Sequence, residues 1–261
     1  MAKITLNGEV RDVPGDLTVL EAARAAGVDI PSLCHHPGLG AYGACRVCVV
    51  EAEGPGIRKG LQTACTLPVT EGMTVQTESP AVVRARRMVF ELLVGRSPDA
   101  EPLREMARRY GVETTRFGKG AAHDECVRCG LCVRACREKI GTAAISFAGR
   151  GQQRVVTTEF NAISDLCIGC GACAAICPTG TVYVEDKHGE RAIRRRELTV
   201  ARFRLEPCIV CGKPLVTEKF LLRRMQALPE ESQPDVICLE CKRARTAAGA
   251  ETLEDFSALT L

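Results

Sequence analysis

The sequence has no tryptophan, three tyrosines and seven phenylalanines in 261 residues. Few large rings are on hand to fill a core, although the chain is long enough for about two or three small domains. No apolar run approaches the roughly 20 residues a membrane helix needs. The opening MAKITLNGEVRD is charged and lacks an apolar stretch, so no secretory signal and a cytoplasmic location are expected. Catalytic signatures are missing as well. There is no Ser–His–Asp arrangement, and Gly38-Leu-Gly40-Ala-Tyr-Gly43 has only the letters of a dinucleotide fingerprint. Cysteines bracket it and no amphipathic helix follows, so the context that fingerprint requires is absent.

Cysteine is what the chain has in excess: sixteen, in four groups of four. A disulfide framework needs an oxidising compartment. Paired C-x-x-C units in a cytosolic chain favour metal instead. The formal net charge of +3 counts every thiol as neutral. A four-thiolate site on zinc or on an oxidised iron–sulfur cluster carries about −2, and four such sites bring the loaded chain to about −5. The basic side chains then read as a counterweight to metal centres rather than as a nucleic-acid surface. Arg46, Arg128, Arg134 and Arg137 all stand beside cysteines.

Along the chain, residues 1–79 read as an α+β unit. Two short strands flank Asn7-Gly8, a strong hairpin signal. Thr18 and Glu21 form a capping box, and the helix they start stops at Gly27. A Gly- and Cys-rich loop follows, then strands over Val47–Glu53 and Met73–Thr77. Residues 80–122 hold no cysteine and read as a helical linker, with helices over Val82–Leu93 and Glu101–Tyr110 and with Arg84, Arg86 and Arg87 on the wet side. Residues 123–186 carry an internal duplication, HDECVRCGLCVRACRE against SDLCIGCGACAAICPTG, offset by 41 residues from Cys126 to Cys167. Residues 187–261 contain a basic stretch, Arg191 to Arg204, and the last cysteine group; the tail from Ala247 reads as a short helix.

The first group, Cys34, Cys45, Cys48 and Cys65, has the spacing C-x10-C-x2-C-x16-C. A long loop that wraps a cluster, closed by one distant cysteine, is how plant-type [2Fe-2S] ferredoxins bind iron. Their first gap is shorter than the ten residues here. The run CHHPGLGAYGACRVCVVE, after KITLNGE and a Val-Leu-Glu-Ala-Ala helix, resembles the [2Fe-2S] domain of the large iron–sulfur subunit of respiratory complex I. It equally resembles the small diaphorase subunit of NAD-linked bidirectional hydrogenases, and iron-only hydrogenases. That resemblance covers most of residues 1–80 and implies a β-grasp ferredoxin fold. His35 and His36 flank Cys34 and read as neighbours of the site or as exposed residues.

Cys126, Cys129, Cys132 and Cys136 form C-x2-C-x2-C-x3-C, and Cys167, Cys170, Cys173 and Cys177 repeat it, with Pro178 following. This is the bacterial two-cluster ferredoxin run, in which the fourth cysteine of each run ligates the other cluster. One [4Fe-4S] is therefore expected on Cys126, Cys129, Cys132 and Cys177, and the second on Cys167, Cys170, Cys173 and Cys136. Arg137 stands where the first run would carry proline. Ile168, Ala172, Val133 and Ile176 are expected to cover the clusters. Members of the resembled family often hold a further [4Fe-4S] on one His and three Cys between these units. With no cysteine in residues 80–122, that cluster is expected to be missing, and His123 reads as a capping or solvent-facing residue.

Cys208, Cys211, Cys238 and Cys241, spaced C-x2-C-x26-C-x2-C, suit a tetrahedral site built from two knuckles. Cys208-Ile-Val-Cys211-Gly-Lys resembles a zinc-ribbon knuckle, so structural Zn²⁺ is expected, with a further iron–sulfur cluster as the alternative. A helix is expected near Phe220–Leu228 between the knuckles.

The expected cofactors are thus one [2Fe-2S], two [4Fe-4S] and one Zn²⁺. The resemblance implies an electron relay without an active site of its own, in a soluble complex with a flavin subunit that oxidises NADH or NADPH. It also implies a separate catalytic partner, hydrogenase-like and possibly electron-bifurcating, or soluble ferredoxin. An NAD-linked formate dehydrogenase, a bifurcating transhydrogenase and a free-standing ferredoxin-like carrier are the alternative settings. No nucleic-acid partner and no membrane span are expected.

Overall fold

The structure is a computed structural model that describes residues 1–118, 125–227 and 235–254. Strands β1 (Ala2–Leu6) and β2 (Glu9–Val13) form the expected hairpin, with Asn7 and Gly8 both at positive φ (52° and 89°). Helix α1 (Val19–Ala25) starts on the capping box: Glu21 donates its backbone N–H to Thr18 Oγ1, and the Glu21 carboxylate accepts from the Thr18 N–H at 2.9 Å. Strands β3 (Val49–Gly54), β4 (Ile57–Thr63) and β5 (Thr74–Gln76) complete a five-stranded sheet of order β2-β1-β5-β3-β4, with β1 and β5 parallel. Helix α1 packs Val19, Leu20, Ala22 and Ala23 against Ile4, Leu6, Val50 and Val75, and Cys48 and Cys65 belong to the same core. The sequence pattern did not anticipate β4. It carries Gly60 at φ 124° and solvent-facing Arg58 and Lys59, which hide its period-2 pattern.

Helix α2 (Pro80–Arg96) begins on Ser79, whose Oγ accepts from the Val82 N–H, with Pro80 in the first turn where its missing N–H costs nothing. Helix α3 (Glu101–Arg108) follows, and Gly111 at φ 68° ends the turn after it. One reading of the sequence is corrected here. Arg84 and Arg87 are exposed, but Arg86 is fully buried. It ion-pairs with Glu78 and donates to Tyr110 Oη at 2.9 Å and to the Val49 carbonyl at 2.8 Å. Burial of this guanidinium is offset by the ion pair and the two hydrogen bonds, which tie α2 to the sheet and to the end of α3, although its Nε has no acceptor.

Residues 80–118 are therefore not a tether. Phe90, Val94, Leu103, Ala107 and Val112 share one core with Leu33, Cys34, Cys45 and Val47 of the first cysteine loop and with Val127, Cys129, Leu131 and Ala135 of the next. The duplicated runs give two short helices, α4 (Leu131–Arg134) and α5 (Ala172–Ala175). A small hairpin, β6 (Ser146–Ala148) with β7 (Val155–Thr157), lies between them. An antiparallel sheet of order β11-β10-β9-β8 follows: β8 (Val182–Lys187), β9 (Glu190–Arg195), β10 (Leu198–Pro207) and β11 (Pro214–Thr217). Helix α6 (Glu218–Gln226) starts on the Thr217 cap, as expected near Phe220. Leu228 and His123 lie outside the described residues. The final helix α7 (Leu239–Glu254) begins inside the last knuckle, earlier than the sequence suggested. No described helix is long and apolar enough to cross a membrane.

Replacing Arg86 by methionine keeps the bulk and removes the donors. The Val49 carbonyl then loses its charged partner, and stability should fall by about 2 kcal/mol, read as a lower denaturant midpoint by far-UV circular dichroism.

Candidate metal centres

The first group is built by the loop between α1 and β3, which carries Cys34, Cys45 and Cys48, and by Cys65 just beyond β4. All four are buried. The loop turns back on itself through Gly43 (φ 68°) and Arg46 (φ 61°). A Cβ on Gly43 would lie 3.1 Å from Thr66 Cγ2, so wrapping this close to the Cys65 segment favours glycine. The Cys45 backbone N–H donates to Cys34 Sγ at 3.4 Å. Thiol hydrogen bonds from Cys45 and Cys65 pull Cys34 down to about 2, and the Cys65 thiol pulls Cys48 down to about 7. Cys45 and Cys65 are pushed the other way, chiefly because they donate those bonds. Four sulfurs are thus close enough to share protons, an arrangement that deprotonates fully only when a metal takes the charge. The chemistry of this all-sulfur donor set fits an iron–sulfur centre. His36 is exposed, and His35 contacts Arg24 and Glu21.

The duplicated runs repeat each other in backbone conformation as well as in letters. Arg128 and Gly130 have φ of 50° and 80°; Gly169 and Gly171, at the equivalent places, have 71° and 75°. Each left-handed pair swings three cysteines toward one side and starts a short helix. The fourth cysteines diverge. Pro178 follows Cys177 and helix α5 stops at once, whereas Arg137 lets the first run continue as a π-helix, Ala135–Ile140. Two cavities result. One is lined by Cys126, Cys129, Cys132 and Cys177, the other by Cys167, Cys170, Cys173 and Cys136. Thr179 Oγ1 lies 3.7 Å from Cys177 Sγ and Thr142 Oγ1 lies 3.3 Å from Cys136 Sγ, so each fourth cysteine has a hydroxyl beside it. Burial pushes Cys129 and Cys173 up to about 12, and Cys132 higher still. Binding metal takes such thiols to thiolates. Val133 is buried next to Cys132, Ile168 and Ala172 line the second cavity, and Ile176 packs on the core shared with the first loop.

Several contacts set the spacing of the first two centres. Arg134, 5% exposed, donates to the Gly40 carbonyl at 2.7 Å and to the Glu138 carboxylate, and its guanidinium lies 4.9 Å from the Tyr42 ring centre. A Cβ on Gly130 would come 3.1 Å from Tyr42. Ser97 Oγ donates to the Cys126 carbonyl at 2.9 Å, which anchors the run to the end of α2. Sequence reasoning placed Arg134 beside a ligand but not as a bridge. It missed Arg195, which is 9% exposed, lines the cavity of Cys126 and has a buried Nε without a hydrogen-bond partner. Nothing in the run Arg194-Arg195-Arg196 singles out its middle member until the strand is known.

The last group is the tightest. The ligand atoms of Cys208, Cys211, Cys238 and Cys241 all lie within 4.8 Å of one another, and no other group among the described residues converges so closely. Cys211 and Cys238 sulfurs are 3.7 Å apart. Backbone N–H groups of Val210 and Cys238 donate to Cys208 Sγ, each at 3.4 Å, and these bonds, that of Cys238 foremost, help bring Cys208 down to about 6.

Comparison with known proteins puts iron–sulfur domains over the first three cysteine groups. Residues 1–80 match the 2Fe-2S iron–sulfur cluster binding domain family. Residues 125–181, and again 166–214, match the 4Fe-4S dicluster domain family. The chain is 34% identical over 218 residues to the NADP-reducing hydrogenase subunit HndD of Solidesulfovibrio fructosivorans, covering 71% of this chain and 36% of that protein. It is 32% identical over 206 residues to the NADPH-Fe(3+) oxidoreductase subunit alpha of Geobacter sulfurreducens (70% and 24%). It is 30% identical over 207 residues to the NADH-ubiquinone oxidoreductase 78 kDa subunit of Candida albicans (69% and 28%). A crystal structure of NAD+-reducing [NiFe]-hydrogenase superposes with a TM-score of 0.52 at 35% identity, over 60% of this chain and 74% of that one. The chain belongs to the iron–sulfur protein family that includes subunits of NAD(P)-linked hydrogenases and complex I-like oxidoreductases. It spans only about a quarter to a third of the curated relatives' length.

Within this family frame, Gly169 is a sharp test of the second cavity. Its φ is 71°, and an added Cβ would lie 2.6 Å from both Phe203 and Thr217 side-chain atoms. Gly169→Ala should displace Cys170, costing about four iron atoms per chain by metal analysis and leaving the [2Fe-2S] visible spectrum intact.

Proposed function

We propose that this chain relays electrons between a flavin subunit that oxidises NADH or NADPH and a separate catalytic partner, hydrogenase-like, or soluble ferredoxin. The observation that carries the reading is the single core in which Cys34 and Cys45 of the first centre lie with Cys129 of the next. A carrier that merely stored electrons would have no need to fuse its centres. When bound, each iron–sulfur cluster takes up and releases one electron with little rearrangement. The chain's part is to hold thiols at fixed spacing, to bury them from water and to place cations near them. Electron bifurcation and a formate dehydrogenase or transhydrogenase setting are variants of the same relay role, and they differ only in the partner.

The ligand sets belong to this proposal: Cys34, Cys45, Cys48 and Cys65 for [2Fe-2S]; Cys126, Cys129, Cys132 and Cys177 for one [4Fe-4S]; Cys167, Cys170, Cys173 and Cys136 for the other. The lining of the two cavities supports the crossed assignment. Domain limits at 79, 122 and 186 are part of the same reading, with strand β8 (Val182–Lys187) running across the last of them. For Cys208, Cys211, Cys238 and Cys241 we favour Zn²⁺. A tetrahedron with Zn–S of about 2.3 Å has edges of about 3.8 Å, close to the 3.7 Å between Cys211 and Cys238. A cubane would put four irons and four sulfides between the thiolates and spread them. The second reading, a further cluster, is favoured by the dicluster match that runs to residue 214. The reading places the protein in the cytoplasm, free of nucleic acid.

Two measurements decide these points. Metal analysis of the chain, purified without oxygen, should find about ten iron atoms and one zinc; about twelve or more iron atoms would remove the zinc assignment. In the same assay Cys177→Ala should lose the cluster of Cys126, Cys129 and Cys132 and keep that of Cys167, Cys170 and Cys173, whereas the reverse loss refutes the crossing. Purification at native abundance should bring down a flavoprotein that reduces the chain with NADH or NADPH. A lone chain that no pyridine nucleotide–flavin subunit reduces would leave the free-standing carrier.

A further inference from the structure

Strand β9 crosses both cubane cavities. Its register against β8 pairs Ile193 with Val184 and Arg195 with Val182. Ile193 and Arg195 are two residues apart, so they share one face of the sheet. Ile193 lines the cavity of Cys167, and Arg195 lines the cavity of Cys126. The same face of one strand thus offers an apolar side chain to one site and a guanidinium to the other.

That guanidinium is short of partners. Arg195 is nine-tenths buried and its Nε meets no acceptor. The carboxylates of strand β8 are already committed, Asp186 to Arg191 and Glu185 to Arg194. A buried, uncompensated cation is expensive, by several kcal/mol. A four-thiolate [4Fe-4S] centre of charge about −2 in the adjoining cavity removes that cost. Arg128 lines the same cavity, but its side chain donates to the carbonyls of Arg154 and Cys126. Cations near the other site are weaker. Lys219 near Cys167 is exposed and donates to the Asp165 carbonyl, and Arg191 near Cys170 is held by both oxygens of Asp186.

We infer that Arg195 is the charge partner of the [4Fe-4S] cluster held by Cys126, Cys129, Cys132 and Cys177, and that it sets this cluster's potential above that of its twin. The inference rests on the ligand assignment proposed above. Reduction adds one negative charge to the cluster. A nearby buried cation stabilises the reduced form more than the oxidised one and raises the potential. Electrons that leave the [2Fe-2S] centre would then find the nearer cubane the easier to reduce and the farther one the stronger reductant. Arg195 is a positioning and tuning residue: it holds charge against the cluster and takes no part in ligation.

The test is an EPR-monitored redox titration of the full chain, with iron and sulfide quantified, for wild type, Arg195→Gln, Arg195→Met and Arg195→Lys. In the wild type the two [4Fe-4S] signals should titrate at separate potentials. In the Gln and Met variants the higher one should become at least tenfold harder to reduce, a shift of about 59 mV for one electron, while the lower one stays. The Lys variant should keep most of the wild-type value. Loss of that one cluster in Gln and Met, with retention in Lys, also supports the inference, since the charge is then needed to hold the cluster at all. Two clusters at unchanged potentials, a shift confined to the lower-potential cluster, or loss of both clusters overturns it. A wild-type chain with fewer than two cubanes removes the ligand assignment and the inference together, whereas two cubanes indifferent to Arg195 remove the inference alone.

Discussion

Thiolates repel one another and lose hydration when buried, so four of them share a point only if metal takes up their charge and the backbone accepts awkward turns. Both demands are written into this fold. The turns are left-handed residues next to ligands: Gly43 and Arg46 in the first loop, Arg128 and Gly130 in the next, Gly169 and Gly171 in its copy. The charge problem shows in Cys34 and Cys65, where one sulfur is drawn far below the usual thiol range while its hydrogen-bond donor is pushed far above it. The cysteines that converge come from distant parts of the chain: Cys177 lines the cavity of Cys126, Cys136 that of Cys167, and the Cys238–Cys241 knuckle meets Cys208 and Cys211. Closing these long loops is costly in entropy. Metal ligation can offset that cost, and in a sequence without tryptophan it stands in for part of the missing aromatic core.

The consequence is a structure whose centres are packed into each other. Phe90, Leu103 and Ala107 come from helices between two cysteine groups, yet they share one buried core with cysteines of both groups. Tyr42 against Gly130 and Arg134 on the Gly40 carbonyl add direct contact. Distance between the first two centres is then a property of a close-packed interior, which resists adjustment by even a fraction of an ångström. Electron transfer needs this kind of fixed separation more than it needs any particular side chain.

Spacing alone made the cysteine groups legible, because ligand geometry is local in sequence within each loop. The hairpin at Asn7-Gly8 and the Thr18–Glu21 box were legible for the same reason, since a turn or a cap is settled by residues a few positions apart. Strand β4 was not, because Gly60 and its charged neighbours blur the alternation that marks a strand. The buried arginines were misread or missed because periodicity treats arginine as a wet residue. Arg86 lies on the α2 face that meets β3, and Arg195 on the β9 face that meets a cavity, and neither environment is present in the sequence near them. What a side chain faces across the fold is set by tertiary pairing, which a single sequence does not print.

The three buried arginines share a logic. Arg86 satisfies a sheet carbonyl and the Tyr110 hydroxyl, Arg134 a loop carbonyl over the first centre, and Arg195 reaches a cavity with no acceptor of its own. With all four sites loaded the chain would take on roughly eight negative charges, and desolvated guanidinium groups would then cost less than in a neutral core. Their placement can therefore carry information. Two cubanes built by a duplicated motif would start with equal potentials, and equal potentials give no direction to a relay. Duplication supplies the ligands, and divergence between the copies, within the motif at Arg128 against Gly169 as well as outside it, supplies the difference. On this fold part of that divergence lies in one strand, where positions 193 and 195 face the two sites with a hydrocarbon and a charge.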